Sequence, residues 1–441
     1  MNAQVISLFL RRLFRDRTVW ALPVSAFAVS SALTLGVAGG VHFFWTLPGD
    51  EAGAYRLFSG LALALLVLPL ASLAGASARL LTRRRDERLS SLRLVGASRG
   101  TLTGLAVAEA TALAAAGAVV GVAGYAALMP LIALLPFAGG RVGVAPQWIG
   151  APGVLGVVAG LVGIAALSAL TGLRRVAITP LGVRTRQEPE RVRWVRVLAV
   201  VAVLAAAQLM IVLAQGAADV AVALTVVVVA LAVPLFGLHL LGPWVLRAGA
   251  RLRLRRARTV ESLVAARSVL ESPRQAWRQV GALSVTTYVG VIGGAGLALI
   301  ATAGGVQMEP ADALLIQDLR TGVLLTMVVS FLLAACSVAV NQSAQVVDRA
   351  ELYRGLAYAG MPLRRMHAMR RSAVMTSLGS VLVLSLASAM LTAAPLIGGA
   401  VFFAPVSLAV VAACLAAGVL LIRVGVDVTR PALRRAVAVG T

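Results

Sequence analysis

Long apolar stretches alternate along this chain with short basic ones. The apolar runs cover about 19–41, 57–81, 102–135, 149–172, 197–215, 220–245, 281–304, 320–346, 370–395 and 402–423. About 20 apolar residues cross the hydrocarbon core of a bilayer as a helix. Lipid offers no hydrogen-bond partner to an open backbone, so each run is predicted to be helical. The expected fold class is all-α, a polytopic membrane protein of about ten transmembrane helices. The third run, about 35 residues, would be ~52 Å long as a helix. It is therefore expected either to protrude into water or to bend near Pro130. Gly117, Gly121 and Gly124 recur at helical spacing in that run and suit close helix–helix contact. The first run follows Arg11, Arg12, Arg15 and Arg17 but is longer than a signal-peptide core, so it reads as an uncleaved first span.

Composition strengthens this picture. Of 441 residues, 60 % are hydrophobic and 13 % charged, and mean hydropathy is +0.92. That charge fraction is about half that of an ordinary globular domain, which excludes a soluble enzyme. All 40 basic residues are Arg, against 17 acids. Without Lys there is no P-loop lysine to hold nucleotide phosphates and no Schiff-base lysine. ATPase activity is expected in a partner, not in this chain. Cys336 and Cys414 lie in separate apolar runs, and His42, His239 and His367 are scattered. No metal-ligand spacing or catalytic constellation emerges, and no cofactor is expected.

Loop charges orient the bundle. With a cytoplasmic N-terminus, the external loops are 42–56, 136–148, 216–219, 305–319 and 396–401. These loops and their edges hold three Arg, namely Arg56, Arg141 and Arg320, and the other 37 fall inside. Asp50, Glu51, Asp219, Glu309, Asp312 and Asp318 are expected outside. The positive-inside rule then predicts a multi-pass cell-membrane protein with both termini cytoplasmic. The Arg are juxtamembrane, placed for the lipid bilayer's headgroups and not for nucleic acid. Inside the spans only Glu109 is singled out as ionisable, near the cytoplasmic edge and within reach of Arg99, with Asn341 and Gln342 near another inner end. No proton pathway is visible.

Two inner loops repeat. Residues 84–101 read RRDERLSSLRLVGASRGT and residues 348–365 read DRAELYRGLAYAGMPLRR. At an offset of 264, Arg85 aligns with Arg349, Glu87 with Glu351, Leu92 with Leu356 and Gly96 with Gly360. Each loop joins spans of the same rank within a four-span block. Leu89, Leu92 and Gly96 lie at i, i+3 and i+7, as do Tyr353, Leu356 and Gly360, which predicts a short helix with an apolar stripe. Gly96 and Gly360 suit a left-handed helix stop. Such a loop serves as a docking element for another protein or as a solvated connector between spans.

The stretch RRRDERLSSLRLVGAS (83–98) resembles the loop after the first core helix of FtsX-like permease domains, the membrane subunits of MacB-type ABC transporters. ELYRGLAYAGMP (351–362) is similar, with Gly-Met-Pro in place of Gly-Ala-Ser. AARSVLESPRQAWR (265–278) resembles the amphipathic segment preceding the first helix of such a unit, and LRRLFRDRTVW (10–20) looks like its counterpart without the Pro. The resemblance implies two FtsX-like permease repeats, at 1–172 and 247–441. Between them lie a cytoplasmic linker at 173–196 and two additional helices at 197–246, read as a spacer that restores orientation. It further implies coupling to a cytoplasmic ABC ATPase dimer through Arg85, Glu87, Leu89, Leu92, Gly96, Ala97 and Ser98, and through Arg349, Glu351, Tyr353, Leu356, Gly360, Met361 and Pro362. Leu and Tyr would fill a groove on the motor, and the charges would set register. The external loops after the first helix of each block are about fifteen residues, too short for a large extracytoplasmic domain. The implied function is a permease exporting or extracting an amphipathic substrate such as a lipophilic drug, peptide or lipid. The alternative is a mechanotransmitter that activates an envelope partner, for which Glu309, Asp312 and Asp318 offer a small acidic outer surface.

Overall fold

The computed structural model describes residues 17–49, 52–83, 98–178, 194–214, 216, 220–303, 310–348, 350–401 and 405–428. Within these the chain is almost wholly helical. The helices are α1 (Arg17–Thr46), α2 (Ala52–Arg83), α3 (Arg99–Ala133), α4 (Gly150–Ile178), α5 (Trp194–Ala214), α6 (Val220–Arg255), α7 (Val260–Glu271), α8 (Pro273–Ala303), α9 (Pro310–Asp348), α10 (Ala350–Tyr358), α11 (Leu363–Val401) and α12 (Pro405–Val428). A helix overlies each apolar run. Among the described residues seven helices are long and apolar enough to cross a membrane: α1 to α4, α6, α9 and α11. Shorter apolar stretches lie in α5 (Val201–Ala214) and α8 (Leu283–Gly296).

Large apolar side chains point outward in the middle of these helices. Leu155 and Leu167 of α4 are 66 % and 63 % exposed, and Leu198 of α5 is 66 % exposed. Water would not tolerate so much apolar surface on one molecule; acyl chains do. The protein is a multi-pass α-helical membrane protein. Helix α3 continues through Pro130 to Ala133 as 35 residues, so the proline does not end it.

Two compact units divide the chain. The first comprises Met1–Pro48, Leu70–Leu135 and Arg141–Glu188, so it holds α1, the later part of α2, α3 and α4. Its core is built from small residues. Val24 and Phe27 meet Ala78, Ala110, Leu113, Ala114, Ala165 and Ala169. Apolar contact gains nothing over lipid inside a bilayer, so association depends on close fit and on hydrogen bonds between helices. The glycines supply the fit as expected. A Cβ at Gly117 would lie 2.6 Å from Phe27 Cβ, and one at Gly121 would lie 2.5 Å from the Ala28 carbonyl oxygen. Between these contacts the Ser31 hydroxyl donates to the Ala118 carbonyl at 3.2 Å. Ser30 and Ser77 Oγ are 3.0 Å apart, and Ser77 also reaches the Ala26 carbonyl at 3.2 Å. Toward the other end, buried Tyr125 donates to the Gln147 carbonyl at 2.5 Å, and Gly39 leaves room for both.

The second unit comprises Gly49–Pro69, Pro136–Gly140 and Pro189–Thr441. Helix α8 lies at its centre. Its Trp277, Val280 and Leu283 meet Leu246 and Ala250 of α6, Val269 of α7, Ala334 and Val338 of α9, Val374, Leu378 and Val381 of α11, and Val426 of α12. Helix α6 packs into the core of this unit. Gly242 faces the Trp277 indole so closely that it leaves no room for a Cβ, and a Cβ at Gly249 would force the Ser380 hydroxyl to turn away. Arg253 of the same helix donates to Thr376 Oγ1 of α11 at 3.1 Å. The Gln208 side chain of α5 donates to the Leu391 carbonyl of α11. Helix α7 is capped by a reciprocal Thr259–Ser262 box and ends at Ser272, after which Pro273 opens α8 at the position where a missing N–H costs nothing.

A hairpin absent from the sequence reading closes one end of this unit. Strands β1 (Pro136–Phe137) and β2 (Gly140–Arg141) flank Ala138 and Gly139, whose φ values are +52° and +72°. Two left-handed central residues make a type I′ turn, and Ala in that region is strained. Asp318 compensates. Its Oδ2 accepts the Ala138 N–H at 2.7 Å and the Tyr55 hydroxyl at 2.6 Å. Asp318, expected on an acidic outer surface, is instead 5 % exposed and begins the buried face of α9.

Replacing Gly121 by Val should drive α1 and α3 apart and lower the thermal unfolding midpoint in detergent, by roughly 1–3 kcal/mol of overpacking strain. Gly36→Ala, with nothing within 4 Å of the new Cβ, should leave that midpoint unchanged. Tyr55→Phe should cost about 1.5–3 kcal/mol in unfolding titrations, the worth of one hydrogen bond to a charged acceptor. Asp318→Ala should in addition accelerate hydrogen exchange at the Ala138 amide.

Candidate functional site

The similar loops at 84–101 and 348–365 are the candidate site. Arg85, Glu87, Leu89, Leu92, Gly96 and Ala97 lie outside the described residues, as does Arg349. Ser98 is the N-cap of α3: extended at φ −66°, ψ 153°, its hydroxyl accepts the Thr101 N–H at 3.2 Å. Pro362 stands in the same place before α11, where its carbonyl accepts the Arg365 N–H at 2.9 Å. Helices α3 and α11 start at Arg99 and Leu363, 264 residues apart, which equals the offset read from the loops. Serine caps with its side chain; proline supplies only a fixed φ and a carbonyl.

The second loop forms a nine-residue helix, α10, with Glu351 in its first turn where a carboxylate favours the helix dipole. It stops at Gly360. With φ +80°, Gly360 donates its N–H to the Ala357 carbonyl at 2.9 Å, and Met361 donates to the Leu356 carbonyl at 2.9 Å. These are the two bonds of a Schellman motif, which satisfies the last carbonyls and turns the chain sharply. Pro362 follows and cannot extend the helix. The left-handed stop expected at Gly360 is the one observed.

The apolar stripe faces the other way from expectation. Tyr353 is 7 % exposed and packs with Val346 of α9 and Met366 of α11, and Leu356, Ala357 and Met361 complete that cluster. Tyr353 and Leu356, expected to fill a groove on another protein, anchor α10 to its own unit. A lone nine-residue helix is too short to persist in water, so its strongest apolar face goes to tertiary packing. The outward face carries Leu352 at 54 % and Tyr358 at 73 % exposure, with Glu351, Gly355 and Ala359 also exposed. A stripe at i, i+3 and i+7 identifies a buried side; it does not name the partner.

Polar groups pin the frame around α10. Arg370 of α11, absent from the sequence reading of in-span charges, is only 8 % exposed and donates to Gln342 Oε1 of α9 at 3.3 Å. Asn341 donates to the Arg278 carbonyl of α8 at 3.1 Å. His367 Nε2 lies 2.9 Å from Asp427 Oδ1 of α12. These links tie α8, α9, α11 and α12 together at the end where α10 sits. In the first unit, Glu109 is buried at 9 % exposure. Among the described residues no three His, Cys, Asp or Glu side chains converge into a metal-holding group.

No protein-family model matches the chain, and no curated protein matches it significantly.

Gly360→Ala should destabilise the turn by about 1 kcal/mol, the cost of a Cβ in the left-handed region. Gly355→Ala, in the open middle of α10, should stabilise the helix by up to about 1 kcal/mol. Opposite shifts in the thermal midpoint of the two variants check both.

Proposed function

We propose that this chain is the permease subunit of an ABC transporter of the FtsX-like, MacB-type kind. A separate cytoplasmic ATPase dimer would hydrolyse ATP, and the chain would use the resulting motion to export or extract from the membrane an amphipathic substrate such as a lipophilic drug, a peptide or a lipid. In this reading ten helices span the cell membrane, both termini are cytoplasmic, and two FtsX-like repeats flank the central helices.

One observation carries the proposal: α10 is a short, sharply terminated helix at the Arg-rich turn between two long helices, anchored inward by Tyr353 and Leu356 and presenting Leu352 and Tyr358 outward. A solvated connector has no need of an inward anchor, a glycine stop and an outward aromatic within nine residues. The division of labour suits force transfer. A side chain buried in the permease would pass on displacement, while an exposed one would present surface to the motor. The matching loop at 84–98 supplies the second arm in sequence, and Ser98 opens α3 as Pro362 opens α11. The charge arithmetic supports a separate motor, since a chain with no lysine lacks the Walker residue that binds phosphate.

The double variant Leu352→Asp, Tyr358→Asp should reduce co-purification of an ATPase encoded beside this chain at least tenfold, because exposed apolar and aromatic anchors dominate such interfaces. Thermal stability should stay near that of the unaltered protein, since both side chains are exposed. Undiminished co-purification would remove α10 as the coupling element. ATP-dependent movement of substrate in vesicles holding both proteins, and none with the ATPase absent, would establish transport.

A further inference from the structure

Helix α11 carries a second feature on the same basic side. An open cleft of about 480 Å³ is lined by Arg364, His367, Ala368, Arg371, Ser372 and Met375. These positions fall at i, i+3, i+4, i+7, i+8 and i+11, so one face of the helix forms the wall. Arg364 and Arg371 stand about 10.5 Å apart along the axis. Both are exposed, and among the described residues neither meets an acidic side chain. Between them His367 is held to Asp427 at 2.9 Å, which orients the imidazole and leaves the cleft with a cationic balance. Ser372 adds a hydroxyl, while Ala368 and Met375 give an apolar floor.

The cleft sits at the level where charge ends along α11. Arg364, Arg365, Arg370 and Arg371 lie in its first turns, and no ionisable residue follows from Ser372 to Val401. Beyond the cleft the outward face is apolar, with Val383 69 % and Leu391 50 % exposed. A ligand suited to this layout is anionic at one end and apolar at the other. Guanidinium groups bind phosphate oxygens through charge-assisted hydrogen bonds, and exposed aliphatic side chains one to three turns deeper accept acyl chains.

We propose that this cleft binds the phosphate of an anionic phospholipid, with Arg364 and Arg371 on the headgroup and the acyl chains running along α11 past Met375 and Val383. Such a site needs no ATPase partner and is separate from the coupling role of α10. A phospholipid phosphate and free phosphate share the headgroup chemistry; the apolar track below the cleft favours the lipid.

Native mass spectrometry of the full chain in neutral detergent, titrated with dioleoyl phosphatidylglycerol or dioleoyl phosphatidylcholine, tests this. The phosphatidylglycerol adduct should form preferentially. The double variant Arg364→Gln, Arg371→Gln should weaken it on the order of thirtyfold, as loss of two surface cations predicts, and the paired Arg→Lys variant should recover part of it. Met375→Trp, which fills the floor, should weaken it independently of charge. Arg320→Gln, exposed on another helix, should have no effect. Unchanged phosphatidylglycerol binding in the glutamine double variant overturns the site. Displacement of the lipid by an equal concentration of inorganic phosphate overturns the lipid assignment and gives the cleft to a soluble anion. Loss of ATPase co-purification in the glutamine double variant, with lipid binding intact, likewise overturns it in favour of a protein contact.

Discussion

Hydrocarbon neither donates nor accepts a hydrogen bond, and every element of this protein follows from that fact. Backbone polar groups have to be satisfied locally, which makes helices the only usable element in the span. Between helices the bilayer is as apolar as leucine, so burial alone provides no drive to associate. What holds α1 against α3 is closeness: Gly117 and Gly121 leave no room for a methyl group, and Ser31 reaches across to a carbonyl. In the other unit Gly242 and Gly249 let α6 approach α8 and α11 in the same manner. The hydroxyls of Ser30, Ser77, Thr286 and Ser330 pair with one another across helices and do not stand alone.

The helices and the packing glycines were legible in the sequence because both are consequences of local rules. An apolar run of sufficient length has one solution in lipid, and glycine at helical spacing has an evident use. The stop at Gly360 was legible for the same reason, since Gly followed two residues later by Pro leaves the chain little else to do. What the sequence concealed were choices between partners. Tyr353 lies on the apolar stripe of α10, but periodicity does not say whether that stripe meets another protein or Val346 and Met366 of the same chain. Asp318 looked like a loop acid because it follows a stretch of acids; only the fold brings Tyr55 and Ala138 to it across long sequence separations. Arg370 looked like one more flanking cation until Gln342 was placed opposite it. The turn at Ala138-Gly139-Gly140 carries a local signal in its paired glycines, but a glycine pair alone marks a turn without saying that two short strands flank it.

Asymmetry between the two loops is informative as well. A Ser cap at Ser98 and a proline carbonyl at Pro362 solve the same problem, that of starting a long helix, with different chemistry. Serine's side chain can release and re-form its bond, whereas proline's ring holds one value of φ.

The seating of Trp277 against Gly242 bears on how this architecture is assembled and altered. Helices α5 and α6, neighbours in sequence, look detachable on paper. Once the indole has been fitted to a groove that a bare glycine makes in α6, excision is no longer a cut at two ends. It would bare an aromatic face and a line of small side chains to acyl chains that cannot fill their shape. A version lacking α5 and α6 would need a recarved α8, so this pair and its neighbours are bound to change in step.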